Sequence, residues 1–151
     1  MNRLLSSLSS RFSKKRVPVQ QIGAGVAVLR GGQVLLVRRI YNGLCDIPGG
    51  RVEPGERVEA AASRELQEET GLSDGTLTLL GVFSGPQHRH LYPDGNVVEW
   101  VTVLFVTREV QGVAKAADDA AEVRWWPLND LPVDVSPATR AYFAALRSVA
   151  A

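Results

Sequence analysis

The stretch PGGRVEPGERVEAAASRELQEETGL, residues 48–72, carries six glutamates and two prolines around a short run of alanines. Residues 57–70 are predicted to form one helix, because Pro54-Gly55 makes a turn before them and Gly71 is a natural C-terminal stop. Three glutamates of this helix converge on one edge of it, and they are Glu65, Glu68 and Glu69. Like charges at this spacing repel and weaken an isolated helix.

Two interpretations of this glutamate cluster are open. A charge run on a helix is usually a solvated face, although such faces tend to place lysine or arginine four residues on, and none follows here. The other interpretation is a site for a hard cation, because Mg²⁺ prefers several oxygen ligands shared among carboxylates, waters and substrate phosphates. A bound dication would turn the mutual repulsion into joint coordination. The spacing of the three residues alone does not choose between the two.

The overall composition is that of an ordinary soluble globular protein. The 151 residues are enough for one domain with a proper core and too few for two, and 45% are hydrophobic and 22% charged. A net charge of +1 argues against a field that would attract nucleic acid or a membrane, so no nucleic-acid partner is expected. A single cysteine, Cys45, excludes an internal disulfide and a cysteine-based zinc site. No apolar stretch approaches the roughly 20 residues that span a bilayer.

The first 18 residues differ from the others in charge. They hold five basic and no acidic residues, whereas residues 19–151 hold 12 basic and 16 acidic ones, a net charge of −4. This composition is typical of an organellar transit peptide and of a membrane-surface helix, and also of an ordinary terminal extension. We prefer residues 1–18 as a basic N-terminal extension of a cytoplasmic protein, with organellar targeting as the alternative.

Apolar runs separated by turn residues predict several strands and a closing helix. The predicted strands are residues 23–30, 33–39, 76–84, 97–110 and 123–126, and the second helix is 137–149. The predicted loops are residues 40–50, with a short extended piece, 85–96 and 112–122. Strands mixed with two helices indicate one α/β domain, with a mixed sheet sandwiched by helices.

The wider spacing of the opening stretch resembles the Nudix box. Five residues separate Gly50 from Glu56, and seven separate Glu56 from Arg64-Glu65-Leu66. One residue then precedes Glu68-Glu69, and one more precedes Gly71-Leu72. All nine fixed positions of the motif match over 23 residues. The broader likeness extends over about residues 19–132 and implies a Nudix-like α/β/α sandwich with a central mixed sheet. Residues 19–151 are therefore predicted to form a Nudix hydrolase domain.

The resemblance implies an activity and a cofactor. Nudix enzymes are hydrolases that cleave the pyrophosphate linkage of a nucleoside diphosphate joined to another group, and they use Mg²⁺ or Mn²⁺. Such ions screen the polyanionic substrate and lower the pKa of a bound water. A small-molecule nucleotide is the expected partner, and a homodimer is an open alternative to a monomer. The alternative function is a catalytically silent Nudix module that binds a nucleotide or a protein partner.

The resemblance also assigns roles to residues of the box. The carboxylates of the metal-binding helix would be Glu65, Glu68 and Glu69, and the main-chain carbonyl of Gly49 would be a further ligand. Arg64 would orient these glutamates, and Glu56 would hold the loop to the helix or join the metal shell through water. The general base would be Glu65 or a residue from a downstream loop. The candidates in that loop are Asp118, Asp119 and Glu122.

Substrate contacts are expected from outside the box. Arg38 and Arg39 end a strand that points toward the site, and either could hold a phosphate. The loop at residues 85–96 offers Arg89, with a plain surface loop as the alternative. Tyr41 and Tyr92 are candidates for stacking on a base. ADP-ribose or a nucleotide sugar is slightly favoured as the substrate, and a nucleoside triphosphate comes next.

Overall fold

The computed structural model describes residues 17–150. The predicted N-terminal extension therefore lies outside the described residues, except for its last two positions. No helix within the described range is long and apolar enough to cross a membrane. The described chain forms one curled mixed sheet with an α-helix on each face, together with a separate two-stranded sheet.

The elements follow one another in a fixed order along the described chain. The strands are β1 (Val19–Arg30), β2 (Gln33–Arg39), β3 (Cys45–Asp46), β4 (Gly49–Arg51), β5 (Ser73–Asp74), β6 (Thr78–Phe83), β7 (Arg89–Leu91), β8 (Val97–Thr107), β9 (Val110–Gln111) and β10 (Ala120–Pro127). The helices are α1 (Val58–Thr70), α2 (Pro137–Val149) and a short 3-10 helix (Pro86–His88).

The main sheet has the order β10-β2-β1-β8-β6, with β3 paired to β2, β4 to β1 and β7 to β8. Strands β1 and β8 are parallel, in register from Val19 opposite Val98 to Val28 opposite Thr107. The other described pairs are antiparallel. The small sheet consists of β5 and β9. The predicted mixed sheet is confirmed.

Alternation along β1 explains why the sheet is covered on both faces. Successive side chains of a strand point to opposite sides, so Val26 and Val28 pack against α1, whereas Ala27 and Leu29 pack on the side of α2. All four side chains are buried. A strand that is apolar at consecutive positions requires cover on both faces, and the two helices provide it. The α/β/α sandwich is therefore confirmed.

Helix α1 begins and ends almost where its sequence predicts. It starts at Val58, one residue after the predicted start, and Arg57 is its N-cap without a side-chain cap bond. It ends at Thr70, and its C-cap is Gly71, whose φ of 73° is left-handed and whose backbone N–H donates to the Gln67 carbonyl. Glycine adopts this conformation without steric cost, which makes it a preferred helix stop. Leu66 is fully buried against β1 and fixes which edge of the helix faces the protein.

Two predicted loops contain more structure than their sequences indicate. Residues 85–96 include the 3-10 helix and β7, which pairs with β8 so that Arg89 lies opposite Glu99. Residues 112–122 include the start of β10, where Ala120 lies opposite Arg39. Strand β10 forms because β2, far away along the chain, offers its hydrogen-bonding partners, and local turn residues carry no information about such a partner. Strand β7 instead forms a hairpin with the next strand, β8, and its polar residues hide this pairing in the sequence.

Candidate active site

A cleft of about 410 Å³ opens between α1, the start of α2 and the segment that contains β7. One end is charged and is lined by side chains from three separate parts of the chain: Arg39, Glu65, Glu69, Asp118 and Asp119. A second, aromatic group also lines the cleft, called here its aromatic end, and consists of Tyr41, His90, Tyr92 and Trp100. A cleft with these two ends suits a ligand with a polyanionic part and a flat apolar part.

The carboxylates of the charged end form a compact group. One ligand oxygen each from Glu65, Glu68 and Asp118 lies within 4.8 Å of the other two. Asp118 comes from the loop before β10, and its φ of 56° is left-handed, an uncommon conformation for a residue other than glycine. The helix and this loop together therefore supply a set of oxygen atoms of the kind that binds hard cations.

Backbone hydrogen bonds explain why the loop lies against α1. The N–H of Lys115 donates to the Thr70 carbonyl at 2.9 Å, and the N–H of Ala117 donates to the Glu69 carbonyl at 3.1 Å. The last carbonyls of a helix lack partners within the helix, so the loop satisfies two of them. This contact carries Asp118 to the edge of the helix that the glutamates occupy.

Glu69 is the most buried of the box glutamates. Its side chain is 1% exposed, and its Oε1 lies 2.9 Å from Nη1 of Arg39. Its Oε2 is buried and has no hydrogen-bond partner among the described residues. Burial raises the pKa of Glu69 to about 8, against the lowering effect of Arg39. A buried carboxylate oxygen without a partner is costly, and a cation at the charged end would satisfy it, so these residues fit a divalent metal ion.

Arg39 lies at the centre of the charged end. It is 7% exposed, and its Nη1 lies 3.0 Å from Oδ1 of Asp119, in addition to its contact with Glu69. Its Nη2 donates to the main-chain carbonyl of Gly49 at 3.1 Å. Burial lowers the pKa of Arg39, but the surrounding carboxylates outweigh burial and the net shift is upward. The side chain is therefore a fixed cation among candidate metal ligands.

Arg64 joins the box glutamates to the preceding loop. Its Nε and Nη2 donate to Glu56 at 2.8 and 3.0 Å, and its Nη1 donates to Glu65 at 3.0 Å and to Glu68 at 3.2 Å. Nη2 also donates to the Arg51 carbonyl. These bonds, together with the backbone N–H of Glu53, lower the pKa of Glu56 to about 2. Glu56 and Glu68 are not among the residues that line the cleft, and Glu56, just before the start of α1, is held by Arg64.

Gly50 is packed against the carboxylate of Glu65. A Cβ at this position would lie 2.6 Å from both Cδ and Oε1 of Glu65. Such a distance is far below van der Waals contact, so any larger residue must displace that carboxylate. The first glycine of the box is therefore required by the position of a site glutamate.

Gly50→Ala should displace the Glu65 carboxylate and lower metal-dependent turnover by about 10-fold to 100-fold, the range for residues that orient a metal ligand. The free energy of unfolding should change little, because the clash falls on the end of a flexible side chain. Gly81→Ala is the matched control, since its Cβ would meet only Phe83 at 3.4 Å. Steady-state assays and thermal unfolding of both variants measure the effect. Equal turnover of the two variants would contradict the packing argument.

The aromatic end is a group of rings in mutual contact. The centroids of His90 and Tyr92 are 4.3 Å apart, and that of Tyr41 is 5.7 Å from His90 and 6.1 Å from Tyr92. Nε1 of Trp100 donates to the Tyr92 hydroxyl at 3.2 Å. Burial raises the pKa of Tyr41 to about 12, so its hydroxyl is neutral at physiological pH. The structure therefore brings together the two tyrosines that the sequence offered as stacking candidates.

Arg38 and Glu122 lie outside the cleft, which differs from their predicted roles. Arg38 donates to Asp134 and to the Gly43 carbonyl, and its Nε lies 3.5 Å from Glu122. Neighbouring residues of a strand point to opposite faces, so when Arg39 faces the charged end, Arg38 faces away. Glu122 of β10 lies directly opposite Arg38 of β2, so both side chains are on the same face of the sheet, away from the cleft.

Arg89 lines the cleft, but its guanidinium is engaged. Its Nε donates to Glu99 at 3.0 Å, and Nη2 contacts the same carboxylate oxygen. The cross-strand pairing of Arg89 with Glu99 brings the two charges together. A phosphate at this place would therefore compete with an existing ion pair.

Several cleft residues were not found from the sequence. Asp46 precedes the Pro48-Gly49-Gly50 turn, and the start of α2 contributes Ser136, Pro137, Ala138 and Thr139 to the cleft. Tyr142 of the same helix is buried there, with its ring centroid 5.7 Å from that of His88. The one available signal was Asp46, an acidic residue within an otherwise apolar segment. Nothing in the α2 sequence indicates which end of the helix meets the cleft.

The NUDIX domain family model matches residues 19–146, and the chain belongs to this family. An ADP-ribose pyrophosphatase of Methanocaldococcus jannaschii is 41% identical over 106 residues, covering 68% of this chain and 59% of that protein. A Bacillus subtilis protein provisionally named an 8-oxo-dGTP diphosphatase is 46% identical over 74 residues, covering 46% of this chain and 50% of that protein. The chain thus spans less than two thirds of the length of these curated relatives.

A solved structure agrees with the fold. The crystal structure of a MutT NUDIX hydrolase from Burkholderia pseudomallei superposes with a TM-score of 0.74 at 29% identity, covering 84% of this chain and 98% of that one. The match therefore includes nearly the whole of that protein. The membership that the box predicts and the predicted fold class are both confirmed.

Proposed function

We propose that this protein is a divalent-metal-dependent hydrolase that cleaves the pyrophosphate linkage of a nucleoside diphosphate derivative. The main support for this proposal is a group of carboxylates at the charged end of the cleft. Glu65, Glu68 and Asp118 converge there, and the buried Oε2 of Glu69 has no hydrogen-bond partner among the described residues. We assign these four carboxylates, with the Gly49 carbonyl, to the binding of Mg²⁺ or Mn²⁺. The ion, when bound, supplies charge neutralisation and a water of lowered pKa. Residues 19–151 are proposed as the catalytic domain, with residues 1–18 as an extension.

The protein groups have separate tasks in this proposal. Arg64 holds Glu65 and Glu68 in place through its planar guanidinium. Of the two aspartates of the loop, Asp119 is engaged by the buried Arg39, so we assign Asp118 and the box glutamate Glu65, which both line the cleft, to accepting a proton. Burial, the largest effect, raises the pKa of Glu65 despite the lowering by Arg64. A raised pKa suits a group that accepts a proton near neutral pH.

The aromatic end supports a nucleotide as the substrate. Tyr41 and Tyr92 line the same cleft with their rings in mutual contact, and aromatic faces stack on bases. We favour ADP-ribose or a nucleotide sugar, with a nucleoside triphosphate next. The 41% identity to a protein named an ADP-ribose pyrophosphatase supports the first choice. The match to a protein provisionally named for 8-oxo-dGTP supports the second.

A substrate screen tests the proposal. Purified protein with Mg²⁺ or Mn²⁺ is incubated with ADP-ribose, nucleotide sugars, nucleoside triphosphates and dinucleoside polyphosphates, and the products are separated by ion-exchange chromatography. The expected result is metal-dependent release of a nucleoside monophosphate from one class well above the others. Binding of a nucleotide without turnover of any compound would instead favour a silent nucleotide-binding module.

Mn²⁺ binding should tighten as the pH rises from about 6 to about 8 and level off above it. Burial raises the pKa of Glu69 to about 8, so below that pH the carboxyl increasingly holds a proton that the cation must displace. The dissociation constant should fall toward about 10-fold per pH unit. Calorimetric titrations at several pH values measure the slope. The Glu69→Gln variant cannot titrate there, so an equal slope in that variant would contradict the assignment.

A further inference from the structure

The carboxylate of Asp46 lies between Arg39 and the start of α2. Its Oδ2 accepts from Nε of Arg39 at 3.3 Å. Its Oδ1 accepts from the Thr139 hydroxyl at 2.9 Å and from the Ser136 hydroxyl. The two oxygens of one side chain thus contact two walls of the cleft.

On one side, this contact determines the direction of the Arg39 guanidinium. The guanidinium is planar and its donors form a rigid fork, so the bond at Nε fixes where the two Nη atoms point. Those atoms reach Oε1 of Glu69 at 2.9 Å and the Gly49 carbonyl at 3.1 Å. Both groups belong to the proposed metal-binding set.

On the other side, the same contact holds the first turn of α2. Thr139 is buried, and its hydroxyl also accepts from the N–H of Ile47 at 3.2 Å. The hydroxyl of Ser136, the N-cap of α2, accepts from the N–H of Thr139 at 3.2 Å. Two consecutive residues before the Pro48 turn are therefore joined to the start of this helix.

We infer that Asp46 is a positioning residue that connects the start of α2 to the metal-binding end of the cleft through Arg39. The inference rests on the proposed role of Glu69 in metal binding. Without the Asp46 contact at Nε, the Arg39 fork is no longer fixed, and its Nη atoms no longer hold Oε1 of Glu69 and the Gly49 carbonyl in place. A cation that requires Glu69 then meets a ligand that is not held in position, so its affinity falls.

Mn²⁺ titration of the metal-free, full-length protein tests the inference without any substrate. Asp46→Asn keeps the shape of the side chain and should weaken Mn²⁺ binding about 10-fold, as expected for a residue that orients a metal ligand. Asp134→Asn is the matched control, because it removes the same charge from the partner of the neighbouring Arg38, which does not line the cleft. This control should bind Mn²⁺ as the wild type does.

A second pair of variants changes no charge and so separates positioning from a general electrostatic effect. Thr139→Val removes the hydroxyl that donates to Asp46 and should weaken Mn²⁺ binding about 3-fold, the scale of one net hydrogen bond. Thr139→Ser keeps the hydroxyl and should restore the wild-type affinity. If Asp46→Asn does not fold, this pair alone decides the question.

Two results would overturn the inference while leaving the proposed function intact. One is wild-type Mn²⁺ affinity in Asp46→Asn. The other is a loss in Asp46→Asn together with wild-type affinity in Thr139→Val, which would reduce the role of Asp46 to its charge. A wild-type protein that binds no Mn²⁺ is a different result, and it would overturn the metal assignment of the proposed function as well.

Discussion

Glu69→Gln should lower metal-dependent turnover about 1,000-fold or more while the protein stays folded. A metal ion contributes several kcal/mol of charge stabilisation, and about 4 kcal/mol corresponds to a factor of about 1,000 in rate. Gln preserves the shape of the side chain and can still accept from Arg39, which keeps Asp46 and Asp119 as partners. Circular dichroism and steady-state kinetics of the purified variant measure both parts of this expectation.

Two further glutamates of α1 serve as controls for this variant. Glu59→Gln makes the same change in the first turn of the helix, where the side chain is exposed and lies near Arg57, and it should leave turnover unchanged. Glu68→Gln should cost less than Glu69→Gln, because Glu68 is half-exposed and remains only one of several oxygens at the site. Turnover of Glu69→Gln within 10-fold of the wild type would rule out the ligand assignment.

Arg64→Lys should lower turnover and Mn²⁺ affinity by about 10-fold to 100-fold, despite the retained charge. Lysine has one nitrogen in place of a planar fork, and it cannot replace bonds from three nitrogens to Glu56, Glu65 and Glu68 together. Glu65 should therefore lose its fixed position. Arg57→Lys is the matched control, because that side chain is 85% exposed and only 3.7 Å from Glu59 at its closest. A loss of the same size in both variants would show that Arg64 has no special role.

The sequence was informative about the site wherever the groups are close together along the chain. The spacing of Glu65, Glu68 and Glu69 predicts their convergence because one helix carries them all. Gly71 predicts the end of that helix for a local reason, its left-handed backbone. The alternation of apolar residues in β1 predicts a strand covered on both faces. Each of these inferences needs only the geometry of a single element.

Other features depend on contacts between distant segments, and no local pattern encodes them. The burial of Glu69 beside Arg39 joins residues 30 positions apart. The sequence placed Glu69 among the ligands but gave no sign that Arg39 is its partner. Strand β10 begins opposite Arg39 of β2, whereas residues 112–122 read as a polar loop. The place of α2 at the cleft likewise follows from tertiary packing.

The adjacent residues Arg38 and Arg39 are another case in which the sequence alone does not show which side chain faces the cleft. A strand places adjacent side chains on opposite faces, so one of the two had to face the cleft. The sequence could not decide which, because both precede a loop and both are arginines. The register with β10 brings Glu122 opposite Arg38, and Arg39 is then the arginine that faces the cleft.

The loop that carries Asp118 is attached to α1 by the backbone bonds of Lys115 and Ala117 to the helix carbonyls. Each such bond contributes about 1 kcal/mol net, so the pair holds the loop by about 2 kcal/mol, which corresponds to about one opened molecule in 30. An opened molecule keeps its helix and its glutamates but lacks one oxygen donor. Amide hydrogen exchange at Lys115 and Ala117 should therefore detect a small population that is folded and incompletely assembled.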